Sequence, residues 1–136
     1  MVIQYLNTDL DLVSWVELTP LLESLKQRGI YALYGCTAGE DGLWYSTLET
    51  DMDSEADFQS PEETIGAMLN AIESLDDASR ALWNGCSKRE LNIGYDCGDE
   101  PWAFNQGLTN QTLARAAAAG ASLRITLYPP ARAPSG

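Results

Sequence analysis

Ile65, Met68, Leu69, Ile72 and Leu75 recur at intervals of three and four residues, the spacing that gathers side chains on one face of a helix. Glu62, Asn70 and Glu73 belong to the opposite, polar face. The preceding "SPEE" supplies a start signal: Ser60 as N-cap, Pro61 at the first helical position and Glu63 as the distant member of a capping box. Asp76 and Asp77 cap a second, shorter helix that carries Ala81, Leu82 and Trp83 and stops at Gly85. Elsewhere the period changes to two. Leu91, Ile93 and Tyr95 alternate in "RELNIGY", and Leu123, Ile125 and Leu127 alternate in "SLRITLY", each predicting a strand. Between them Thr109 caps "NQTLARAAAA" and Gly120 ends it, while Pro129 and Pro130 stop the last strand.

The N-terminal half is read in the same way. "VIQYL" opens as a short strand. "NTDLDLVS" then reads as a turn-rich approach to a helix, with Asp9 and Asp11 as turn and cap groups. Thr19 and Pro20 form a cap and first-turn pair, Leu21, Leu22 and Leu25 give an apolar face, and Gly29 ends the helix. "IYALYGC" and "LWYSTLE" are β-rich and flank "TAGEDG", which predicts an antiparallel hairpin with an extended loop. The predicted order is β-α-β-β-α-α-β-α-β. The expected fold class is α+β, a single-domain sandwich in which a five-stranded, mainly antiparallel sheet carries helices on one face, over residues 1–130. The closing "ARAPSG", 131–136, reads as a flexible tail.

Composition narrows the function more than the fold. A chain of 136 residues, 45 % apolar and 21 % charged, has the make-up of one globular domain. No apolar run is long enough to cross a bilayer, and "MVIQYLNTDLDL" does not read as a secretory signal, so a cytoplasmic protein without a membrane partner is expected. Cys36, Cys86 and Cys97 are odd in number and lack CxxC spacing, which suits reduced thiols in that compartment. The net charge of −12 argues against nucleic acid as a partner. The charge is also lopsided: residues 1–79 hold sixteen acids against Lys26 and Arg28, net −14, whereas residues 80–136 have a net charge of +2. Such a field keeps a protein in solution and steers basic partners toward it.

The absence of histidine removes Ser-His-Asp and Cys-His nucleophiles, histidine-bound zinc or haem, and a histidine pH switch. Cys97 lies among Asp96, Asp99 and Glu100, and Cys36 is followed by Glu40 and Asp41, settings that weaken a thiol nucleophile. Cys86, beside Lys88 and Arg89, is read as packed under the helix it follows. Asp51, Asp53, Glu55, Asp57 and Glu62 fall at positions 1, 3, 5, 7 and 12 of an EF-hand count, but Ala56 occupies the glycine position and Pro61 position 11, so no metal site is expected. No phosphate-binding glycine loop is present, and no cofactor or catalytic residue is assigned.

The stretch "YDCGDEPWAFNQG", 95–107, admits two readings. As a binding surface it offers Tyr95, Trp102 and Phe104 as rigid aromatic anchors with Asp96, Asp99 and Glu100 as a charged rim. As a structural loop, Pro101 sets a bend, Trp102 and Phe104 fold back as a lid on the core, and Asn105 bonds backbone groups. Aromatic burial is the commoner outcome, so the rings are expected inside and the acids in contact with a partner.

The C-terminal half, "PEETIGAMLNAIESLDDASRALW", "RELNIGYDCG" and "LTNQTLARAAAAGASLRITLY", resembles in element order and spacing small bacterial α+β domains of unknown function that end in a strand, a helix and an "L-x-I-x-x-Y" strand. Some members of that group act as immunity proteins beside secreted toxins. The resemblance implies a stand-alone cytoplasmic protein and supplies no catalytic residues. The resulting expectation is a non-enzymatic, acidic protein-binding domain, an immunity- or antitoxin-like protein that neutralises a basic protein partner. Its binding candidates are Asp96, Asp99, Glu100, Trp102, Phe104 and Asn105, with Asp51, Asp53, Glu55 and Asp57 steering the approach. The alternatives are a small histidine-free hydrolase using a carboxylate pair, and a structural or ligand-binding domain.

Overall fold

The computed structural model describes residues 1–50 and 60–130; Asp51, Asp53, Glu55, Asp57 and the tail 131–136 lie outside them. The order is β1 (Gln4–Ser14), α1 (Thr19–Lys26), β2 (Ile30–Ala32), β3 (Thr37–Ala38), β4 (Trp44–Thr50), α2 (Pro61–Glu73), α3 (Asp77–Asn84), β5 (Cys86–Asp96), α4 (Asn110–Ala118) and β6 (Ser122–Tyr128). The fold is α+β with a mostly antiparallel open sheet, ordered β2-β4-β1-β5-β6, to which β3 adds by pairing with β4. The described sheet therefore has six strands rather than five. The extra strand arises because the hairpin's first arm breaks after Ala32 and resumes at Thr37, so β2 and β3 pair with successive parts of β4.

The largest departure from the sequence reading is β1. "NTDLDLVS" is not an approach to a helix but the greater part of the central strand, paired with β5 along its length and with β4 from Leu10 onward. Its alternation sorts the side chains: Thr8, Leu10, Leu12 and Ser14 are buried, whereas Asp9, Asp11 and Val13 emerge on the opposite face. Asp9 and Asp11 are thus sheet residues and not turn or cap groups. Thr19 also differs from its expected role. Leu18 stands at the N-cap of α1, and the Glu17 carboxylate accepts from the Thr19 backbone N–H at 2.8 Å and from its hydroxyl.

The N-caps of the other three helices are the expected residues. Ser60 Oγ accepts from the Glu63 backbone N–H, Asp76 from Ser79 and Thr109 from Thr112. Leu21, Leu25, Ile65, Met68, Leu69, Ile72, Trp83 and Ala116 from the four helices join Leu10, Leu12, Leu48 and Leu91 of the sheet in one core. The polar face of α2 is not left to solvent: Glu62 accepts hydrogen bonds from Thr109 and Thr112, and Asn70 and Glu73 bind Arg115, joining α2 to α4.

The only parallel pair among the described strands is β5–β6, whose chain returns through the 97–109 loop and α4. Arg89 secures this return by donating to the carbonyls of Trp83, Cys86 and Gly120. Gly120 has φ +74° and its Cα lies against that guanidinium, so a side chain there would meet both backbone strain and Arg89. No described helix is long and apolar enough to cross a membrane.

Candidate functional site

The 95–107 stretch is built onto the end of the sheet. Cys97 N–H donates to the Tyr128 carbonyl at 2.9 Å, Asp99 and Glu100 N–H both reach the Met1 carbonyl, and Ile3 N–H donates to the Glu100 carbonyl at 2.7 Å. Gly98 permits this contact, because a Cβ there would sit 2.5 Å from the Met1 carbonyl oxygen. The Glu100–Pro101 peptide is cis. Farther along, Phe104 packs edge-on against Tyr95 at 5.7 Å, and Tyr95 packs in the same manner against Tyr5.

Trp102 lies between these anchored points and is 98 % exposed, the most exposed of the large hydrophobic side chains described. Its expected place as a lid on the core is therefore corrected. Of the two rings on the loop, it is Phe104 that reaches Tyr95. Phe104 is half-buried, in keeping with the structural reading of that ring.

The three acids of the stretch differ in availability. Asp99 holds the Met1 amine at 2.8 Å, and that hydrogen bond keeps its carboxyl below the usual range. Asp96 and Glu100 are exposed, and neither carboxylate has a hydrogen bond or ion pair with another described residue. Asn105 is exposed, and its amide makes no hydrogen bond to the described backbone.

Beside the loop lies an open groove of about 360 Å³ between Ile3, Tyr95, Asp96 and Phe104 on one side and Ile125 and Leu127 of β6 on the other. Its walls are mainly apolar and its rim carries Asp96 and Gln106. The sequence alternation placed Ile125 and Leu127 on one face of a strand, as the structure has them. They are 65 % and 61 % exposed because β6 is the sheet's edge and lies beyond the cover of the helices. Alternation shows which residues share a face but does not show whether that face is covered.

The helix-free face of the sheet forms a second polar surface. Asp9, Asp11 and Glu49 meet there, and burial, then the charges of Asp11 and Glu49, push the Asp9 carboxyl up to about 6. Neighbouring positions are self-satisfied: Thr47 donates to Asp11, Arg124 to Glu90 and Thr126 to Asn92, all at 2.7–2.8 Å. Among the described residues no cluster of three or more acids or thiols has the arrangement of a metal site. If two carboxylates act together, Asp9 and Asp11 are better placed for it than the neighbours Asp99 and Glu100.

All three cysteines are free thiols. Cys86 is buried, with its Sγ against the Leu82 carbonyl at 3.5 Å, and desolvation pushes its thiol up to about 11 despite Arg89 nearby. It is a packed side chain and not a poised nucleophile. Comparison with known proteins returns no matching family model, no similar curated protein and no similar solved structure.

Proposed function

We propose that the chain is a non-enzymatic protein-binding domain, of immunity- or antitoxin-like kind, that acts in the cytoplasm on a basic protein partner. The observation that carries this reading is Trp102: an indole held in water on a loop tied by backbone hydrogen bonds before it and by the Phe104 ring after it. An exposed tryptophan costs hydration free energy that burial in a partner's pocket recovers, and a pre-ordered loop loses little entropy on docking. Asp96 and Glu100 flank it with carboxylates that have no partner among the described residues, and the adjacent groove has room for an apolar side chain. The net charge of −12 supplies the long-range attraction. Free thiols agree with a reducing compartment.

A random-peptide display selection against the intact chain tests the proposal. The recovered peptides should carry net positive charge together with an apolar or aromatic residue, and should bind more weakly as salt is raised. Trp102→Ala should weaken a recovered peptide by about 2 kcal/mol, roughly 30-fold, with the fold intact. Peptides without a positive bias, or equal binding by the Trp102→Ala variant, would contradict it.

A further inference from the structure

We infer that the free edge of β6 pairs with β6 of a second copy of this chain, giving a dimer with a continuous sheet. The two edges of the sheet are treated differently. At one end β2 is three residues long and its continuation is broken, which is how natural sheets blunt an edge. At the other, β6 runs seven residues in unbroken register beside β5, with no proline or bulge within it. Its single charge, Arg124, is drawn back onto its own sheet by Glu90 and so does not guard the edge. Leu123, Ile125 and Leu127 stand in a row on one side of it, 39 %, 65 % and 61 % exposed.

Charge selects the occupant. The whole acidic excess lies in residues 1–100; from Pro101 onward there is no acid, and the described part of that segment carries only Arg115 and Arg124. Two chains of charge −12 repel one another, but β6 itself carries no carboxylate and its Arg124 is paired with Glu90, so two such strands brought edge to edge set no like charges face to face. The strand also suits itself. In an antiparallel pairing centred on Ile125, Leu123 faces Leu127 of the second copy and the apolar row continues across the seam. Arg124 then falls opposite Thr126 and not opposite another arginine. The two grooves beside Leu127 would lie at opposite ends of the paired strands.

Sedimentation equilibrium on the full chain tests this. The wild type should reach twice the chain mass at high concentration. Its dimer should tighten as ionic strength rises from about 0.01 M to about 1 M, because the screening length falls from about 30 Å to about 3 Å and releases the mutual repulsion. Ile125→Lys and Leu127→Lys, at exposed positions, should each weaken the dimer at least about tenfold while keeping the wild-type circular dichroism. Trp102→Ala should dimerise as the wild type, because Trp102 is not on the paired strand. A monomer at every concentration, or a dimer indifferent to both lysine substitutions, would overturn the inference.

Discussion

Asp9 sits half-buried on the central strand with Asp11 and Glu49 near it, and its carboxyl titrates at about 6 instead of 3.8. The native state therefore binds this proton more tightly than the unfolded chain does. Its contribution to stability is present below pH 3.8 and is lost as the pH rises through 6. Asp9→Asn removes that loss: the variant should be the more stable of the two at pH 7, and the difference should shrink as the pH is lowered to 4. Urea unfolding across that range measures it, and a difference independent of pH would contradict the assignment. Two tryptophans of opposite environment make a second test. Trp83 is buried, with its Nε1 donating to the Ala119 carbonyl at 2.9 Å, so Trp83→Ala should cost about 3–5 kcal/mol. Trp102→Ala should leave the thermal midpoint nearly unchanged, since the ring loses little contact. A comparable loss in both melts would mean that Trp102 is packed. Neither Asp9 nor Trp102 was read correctly from sequence. Aspartate between leucines carries a turn preference that pairing on both sides overrides, and the exposure of a tryptophan depends on which rings reach the core first.

At the level of elements, the junction of α2 and α4 is held by polar side chains that the helical period of α2 assigned simply to a polar face. Glu62 accepts from Thr112 Oγ1 at 2.6 Å and from Thr109 Oγ1 at 2.8 Å, which ties the start of α4 to the start of α2. Glu62→Ala should cost about 1 kcal/mol, measured by chemical denaturation, because the bonds are charge-assisted but partly solvated. No effect would show that α4 is positioned by Ala116 and the core alone. Caps and terminators were the most legible elements, as Ser60, Asp76, Thr109, Gly29 and Gly120 all act locally. Strand length was less so. β1 was legible in the Leu10, Leu12 and Asp9, Asp11 alternation but was masked by residues that also favour turns. The split into β2 and β3 has no pattern in the sequence, because it is set by pairing with β4.

For the whole molecule, α+β class and a mainly antiparallel sheet followed from the order of periods along the chain, whereas the parallel β5–β6 pair and the identity of the edge strands required the packed structure. The same limit applies to the candidate site. Asp96, Glu100, Trp102 and Phe104 were visible as an unusual cluster, but the groove also takes Ile3, Ile125 and Leu127 from distant parts of the chain. The two proposed associations depend on salt in opposite ways. Attraction of a basic partner should weaken as salt is added, and self-association should strengthen. The most direct test of the central claim is a backbone amide chemical-shift map of the labelled chain titrated with a selected basic peptide. Perturbations should concentrate at Asp96–Gln106, include the Trp102 indole N–H, and require roughly 30-fold more peptide in Trp102→Ala. Perturbations centred on Asp9, Asp11 and Glu49, with the Trp102 indole unmoved, would contradict it.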